Sequence, residues 1–327
     1  MSARPAALAS GTAFALAAGA MWGLVFVTPL LLPQYPAAML SASRYLAFGL
    51  IALPLALWDR RELAALSRDD WMEALKLSAV GNLLYYGFLA AAIQRAGGPL
   101  PTVIIGTLPV VIAIVSNLTA GPPAAPGRDP RLPWARLAPS LVLIAAGIAC
   151  VNHEELSRLA QGGAAPQDMQ RYALGAALAV GAVACWTWYP IRNGRWLRAH
   201  PSRSPRAWAT AQGLVTLPMA AVAFAGFWVW QAHTSPDFAM PLGPDPMRFF
   251  SLMLALGLFA SWLGTLCWNE ASQRLPTSLA GQLIVFETLA ALAYAWTLRA
   301  QAPGVAALAG VALLVAGVWW ALRRRQG

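Results

Sequence analysis

The stretch from Gly281 to Leu298, GQLIVFETLAALAYAWTL, is eighteen residues long, and all but four of them are apolar or glycine. One of the four is Glu287, close to its middle. A segment of this kind matches the hydrocarbon thickness of a bilayer. A carboxylate at its centre is expensive unless it faces a partner or a cavity. The rest of the chain says that a membrane is involved. Of its 327 residues 58% are hydrophobic and 11% charged, against roughly a quarter charged in soluble domains. The apolar residues gather in ten runs, at 11–32, 37–58, 71–93, 99–119, 137–152, 171–191, 208–230, 248–270, 278–298 and 302–322. The fifth, LAPSLVLIAAGIACVN, is short and the weakest of them. Loops rich in Pro, Gly and Asp, such as GPPAAPGRDPRLP and QGGAAPQD, separate the runs. The expected fold class is an all-α membrane protein with ten transmembrane helices. The first run continues through GLVFVTPLLL, longer than the apolar core of a signal peptide, and reads as a span.

The net charge of +10 is distributed by side. With the loops numbered from the N-terminus, sixteen of the 23 Lys and Arg residues fall on its side and five on the other. Arg44 and Lys76 lie within spans. Such a bias orients membrane proteins with the basic loops inside. It predicts cytoplasmic termini and a plasma (inner) membrane location, and it accounts for the basic charge without nucleic acid. Cys150, Cys185 and Cys267 fall in or beside spans, which implies no disulfide framework. His153, His200 and His233 fall in loops and read as solvated, with no metal-ligand spacing. No cofactor is expected.

Moving outward from Glu287, the run that contains it begins a repeat. ASQRLPTSLAGQLIVF at 271–286 echoes AIQRAGGPLPTVIIGTLPVV at 92–111: A-x-Q-R recurs, LPT recurs, and Gly281, Leu283 and Val285 match Gly106, Leu108 and Val110. GAMW in run one, ending at Trp22, is matched by GAVACW in run six, ending at Trp186, and AAGI in run five by VAGV in run ten. The chain therefore reads as two five-helix units, 11–152 and 171–322. Five is odd, so the units are inverted with respect to one another, an arrangement found in many secondary transporters.

These motifs resemble the drug/metabolite transporter superfamily of EamA type. The resemblance rests on Trp22-Gly23 in helix one, the spacing from Pro36 to Arg44 in helix two, Pro109 in helix four and the acidic Glu287 in helix nine. Where many members have Glu-Pro, this chain has Glu287-Thr288. Within that superfamily GNLLYYGF, CWNEASQRLPTSLAGQLIVFETL and the fifteen tryptophans look most like the aromatic-amino-acid exporters.

Candidate binding residues are the polar and aromatic side chains at mid-span: Trp22, Asn82, Tyr85, Tyr86, Trp186, Trp262, Gln282 and Glu287. Glu287 is read as a contact for a substrate ammonium or a proton carrier, or else as a packing group bonded to Gln282 or Asn82. Arg44 is expected to hold a helix-end carbonyl or snorkel outward, with pairing to a substrate carboxylate as the alternative. Glu73 and Lys76 read as an intrahelical pair, and Glu270 as solvated. Trp58, Trp71, Trp134, Trp208, Trp228, Trp230, Trp319 and Trp320 read as an interfacial belt. Gly310 and Gly317, with Ala145, Ala146 and Gly147, predict close packing of runs five and ten.

An apolar pocket with aromatic walls and few charges suits a mid-sized apolar substrate. The reading is a carrier exporting amino acids, aromatic and other apolar ones, or related metabolites by alternating access, acting as a monomer in the lipid bilayer. The alternatives are an exporter of cationic drugs or polyamines on the same fold, and a scramblase or scaffold. No G-x-x-x-x-G-K-[ST] sequence is present, and no nucleophile-and-base or metal set lies at depth, so the chain does not read as an enzyme.

Overall fold

The computed structural model describes residues 5–96, 99–120, 131–153, 166–235, 237–300 and 302–323, and these contain helices and connecting turns with no strand. Among the described residues, nine helices are long and apolar enough to cross a membrane. Taken with a shorter tenth, they are span one (Pro5–Leu31), two (Ala37–Trp58), three (Arg68–Ala96), five (Trp134–Val151), six (Pro166–Ala199), seven (Pro205–Thr234), eight (Pro246–Arg274) and ten (Val305–Arg323), with four and nine each in two pieces. Starts are set by local chemistry. Ser67 and Asp70 form a reciprocal capping box ahead of span three, and Ser204 and Asp245 cap spans seven and eight just before a proline.

Two expectations about the runs change. The fifth is an uninterrupted helix of 18 residues. The weak run is the fourth, which stops at Gly106 and restarts at Leu108. Pro109 has no N–H to give to the preceding turn, and the chain turns through Thr107 with Val110 N–H donating to its carbonyl at 3.0 Å. Span nine breaks likewise between Thr277–Leu283 and Val285–Arg299. There the turn is at Ile284, whose carbonyl accepts from the Glu287 N–H at 2.9 Å, and no proline is involved.

Neighbouring helices follow one rule. Spans five and ten pack on each other, as do two and seven, and four and nine. Span one packs on eight and nine, and span six on three and four. Adding five to each number, and wrapping round, returns the same set. The correspondence reaches single residues. Gly11 in span one abuts Arg274 and Leu275, and Gly175 in span six abuts Ala96, next to Arg95. Spans three and eight each contain a π-helical segment, Ala79–Leu84 and Leu256–Leu263, which end at the same distance before Arg95 and Arg274. Spans one to five thus make the same kinds of contact as spans six to ten.

Spans five and ten meet backbone to backbone. A side chain at Gly147 would lie 2.9 Å from the Gly310 carbonyl, and one at Gly310 would lie 2.8 Å from that of Gly147. Gly317 completes the contact against Ile144, while Ala145 faces outward.

Candidate functional site

The candidate residues converge where span one meets span six. Trp22 and Trp186 face each other, ring centroids 5.5 Å apart at 72°. Trp22 also lies against Trp268 at 5.3 Å, and Gly264 leaves the space its indole occupies. Trp186 is stacked between Tyr85 at 4.9 Å and Tyr189 at 5.1 Å. Three of the predicted aromatics, Trp22, Tyr85 and Trp186, therefore touch in one buried cluster. Trp262 and Tyr86 belong to a second cluster with Tyr45 and Phe48, in which the Tyr45 and Tyr86 rings meet edge to face at 6.4 Å.

Polar points fall on the π segments. Asn82 and Ser261 occupy equivalent positions in them. The Asn82 amide donates to Thr216 Oγ1 at 3.4 Å, and Ser261 Oγ accepts from Arg44 Nε at 3.0 Å. Arg44 Nη2 also donates to the Ala260 carbonyl at 3.2 Å. A π segment leaves carbonyls out of the regular ladder, which is why these segments recur at functional sites. Arg44 is buried and does not snorkel. Two of its five donors are engaged, and its guanidinium lies over the Tyr45 ring.

Glu287 lies in the first turn after the break in span nine. The exposed N–H groups and dipole of a helix start favour a carboxylate there by about 0.3–1 kcal/mol, which offsets part of the roughly 3 kcal/mol insertion penalty. Its backbone N would lie 3.0 Å from a side chain at Gly19, so span one packs directly on it. The carboxylate is half-buried and bonds to neither Gln282 nor Asn82. Arg44 and Tyr85 are within electrostatic reach without a direct ion pair to Arg44. Gln282 is buried, its Nε2 donating to the Ser278 carbonyl at 3.1 Å and its Oε1 without a partner among the described residues.

Toward the end of span six the polar groups lock together. Asn193 Oδ1 accepts from Trp208 Nε1 at 2.8 Å and Gln212 Nε2 at 3.3 Å, and its Nδ2 donates to Asn269 Oδ1 at 2.8 Å. Tyr189 donates to Gln212 Oε1 at 2.9 Å. Trp196 stacks on Trp208 at 3.5 Å and donates to Asp70 Oδ1 at 2.9 Å. Trp208 is thus a buried member of this network and not part of the belt. Glu73 pairs with Arg192 of span six, not with Lys76, and Glu270 pairs with Arg274. Asp59 pairs with Arg206 at 2.6 Å and accepts from Thr210 Oγ1. Reading for mid-span aromatics missed Trp268, Tyr189 and this network. The stripe Trp186, Tyr189, Asn193, Trp196, spaced three and four apart on one helix face, was the available signal.

The sequence profile of the EamA-like transporter family matches residues 9–123 and 173–323. The chain belongs to the EamA-like transporter family. It is similar to the inner membrane protein YtfF of Escherichia coli (strain K12), 51% identical over 316 residues, covering 97% of this chain and 96% of that protein. A solved crystal structure 20% identical in sequence superposes with a TM-score of 0.71 over 98% of this chain and 99% of its own, which speaks for the fold alone. The protein is a multi-pass inner-membrane transporter of EamA type, and at Glu287-Thr288, close after the break in span nine, it has no proline.

Proposed function

We propose that this EamA-type transporter exports amino acids with aromatic or other apolar side chains, with both termini in the cytoplasm. One observation carries the reading. Glu287, a carboxylate with no hydrogen-bonding partner among the described residues, shares its surroundings with Tyr85 and with Arg44, whose donors are only partly used. An ammonium suits Glu287 and a carboxylate suits Arg44, so the two together fit a zwitterion. The Trp22, Trp186 and Tyr85 rings offer flat apolar walls for a side chain. A cationic drug or polyamine would use Glu287 and make no use of the remaining donors of Arg44.

The test is efflux from proteoliposomes that contain only this protein, with labelled phenylalanine, tryptophan and leucine set against a polyamine and a lipophilic cation. Saturable amino-acid transport that free cations do not inhibit is the expected result. Transport of the cations alone would replace this reading with the drug-exporter one. Glu287→Gln is expected to weaken amino-acid transport about ten- to a hundredfold, the loss of one charge-assisted bond of about 1.5–3 kcal/mol. A variant that still binds and exchanges substrate but no longer responds to a pH gradient would instead assign Glu287 to proton transfer.

A further inference from the structure

GLIALPLA at 49–56 in span two recurs as GLVTLPMA at 213–220 in span seven, and the A-x-Q-R match sets Arg95 of span three opposite Arg274 of span eight. On this alignment Ala42 stands opposite Arg206, Ala223 opposite Asp59, Ser41 opposite Pro205 and Ala90 opposite Asn269. The second members of these pairs meet at the arginine-rich end of the bundle. Arg206 pairs with Asp59 at 2.6 Å, and Asn269 Nδ2 donates to the Pro205 carbonyl at 3.2 Å. Spans two, seven and eight are closed on one another there.

The first members meet toward the other end, and they leave a cavity of about 250 Å³ between spans two, three and seven. Ala42, Ala90 and Ala223 line it together with Gly87, Phe227 and Tyr86. A side chain at Gly87 would begin in open space, with no atom within 4 Å of its Cβ. Gly87 and Ala223 are exposed, so the cavity is open at its rim, whereas Ala42, Ala90 and Phe227 are buried. Tyr86 connects it to the second aromatic cluster, meeting Tyr45 edge to face at 6.4 Å. Arg44 is within electrostatic reach of the Tyr86 hydroxyl, which has no hydrogen-bonding partner among the described residues. A polar tip without a partner at the wall of an apolar cavity suits a ligand with one apolar and one polar end.

We infer that this cavity is a second substrate site, which holds an amino acid with an apolar or aromatic side chain between the central cluster and the membrane face away from the arginine-rich loops. The side chain lies among the alanines, and the substrate carboxylate accepts from the Tyr86 hydroxyl. The volume is just below the roughly 300–1,000 Å³ of pockets for drug-sized ligands, which suits a single amino acid. An acyl chain is the competing occupant, and it leaves the Tyr86 hydroxyl unused. Alternating access rocks one part of a carrier against another about a central site, so that the two ends take turns to open. Polar contacts that close one end, set against alanines that leave the equivalent place open, fit that motion. The inference rests on the amino-acid reading given above and adds a second site to it.

The test is equilibrium dialysis of the purified full chain with labelled phenylalanine, followed by efflux from proteoliposomes. Wild type is expected to bind two phenylalanines per chain. Gly87→Leu and Ala90→Leu fill the cavity from adjacent turns and are expected to leave one. They are also expected to slow phenylalanine efflux about tenfold and alanine efflux less than about twofold, as an apolar pocket one group too small discriminates by size. Leucine favours a helix over glycine, so Gly87→Leu is expected to melt no lower than wild type, and loss of a site is then not loss of the fold. Glu287→Gln is expected to give the converse pattern, with the central site weakened and the cavity site kept. Two bound phenylalanines in both filled variants, or equal slowing of phenylalanine and alanine, overturns the proposal. It also falls if filling lowers copurified phospholipid and leaves phenylalanine binding and efflux unchanged, which makes the cavity a lipid site. A wild type that binds one phenylalanine, lost in Glu287→Gln and untouched by filling, removes this site and keeps the amino-acid reading. A wild type that binds none and transports only the cations ends that reading itself.

Discussion

Spans one and six are the same helix twice, and they have been put to different uses. Each brings one tryptophan to the centre, where Trp22 and Trp186 touch. On either side of that point they differ. Span one approaches span nine through Gly19 and Gly23, where added side chains would lie 3.0 Å from the Glu287 backbone and 2.8 Å from Ala290. Span six presents Val183 and Thr187 to span four and leaves a groove. Beyond the tryptophan, span six carries Tyr189, Asn193 and Trp196, and span one carries Val25, Pro29 and Leu32. One end of the bundle is therefore locked by a hydrogen-bonded network. The described contacts at the other centre on apolar packing around Leu32 and on Tyr35, which stacks on Phe249 at 4.7 Å. The carboxylate has only aliphatic counterparts in the other half, because the repeat alignment sets Ile112 opposite Glu287. A duplicated scaffold supplies symmetry, and substitutions at a handful of positions give each half its own chemistry.

The sharpest way to break this comparison is to give span one the bulk of span six. Gly23→Leu drives a side chain into Ala290 and the Ala291 backbone and is expected to destabilise by about 3 kcal/mol, the upper part of the overpacking range. Thr187→Leu, facing the groove, is expected to stay within about 1 kcal/mol. Melting curves of the two purified variants decide it, and equal losses would remove the asymmetry. Next in size is Glu287→Gln, with its ten- to hundredfold loss of transport, set against Ile112→Val. The latter removes one methylene from a fully buried site, costs about 0.5–1.5 kcal/mol of stability and is expected to leave transport per folded molecule unchanged. Impaired transport in both variants would mean that both broken helices serve the substrate. The two ends are compared by Asn193→Ala and Tyr35→Phe. The first strands the Trp208, Gln212 and Asn269 partners at about 1–3 kcal/mol, and the second removes one hydroxyl that links Leu242 to Asp245 at about 1 kcal/mol. Urea or thermal unfolding that ranks Tyr35→Phe above Asn193→Ala would reverse the assignment of the locked end.

The all-helical membrane fold and the packing of spans five and ten were legible because bilayer thickness acts on the whole sequence at once and small residues mark close helix contacts. Run boundaries fell short at the ends of spans six, seven and eight, whose helices continue into polar residues such as Arg192, Arg195 and Arg274. Hydropathy stops where the bilayer stops, while helices continue as long as their ends are capped and packed. The break in span nine was hidden for a different reason. Ile284 is flanked by Leu283 and Val285, neither a helix breaker, and the 3₁₀-like turn there lies in a segment packed against spans one and four. Trp208 was misplaced because a tryptophan near a span end looks alike whether it faces headgroups or stacks on Trp196. Pairing across helices, as between Glu73 and Arg192, is likewise invisible to a reading that considers one helix at a time.

The contact of Gly19 with the Glu287 backbone has a mechanical consequence. With no side chain between them, span one and the second piece of span nine lie backbone against backbone. Glu287 and Trp22 are therefore expected to move together, like two teeth on one gear. Any rearrangement of the bundle is then expected at looser joints, and the groove between spans four and six is one of them.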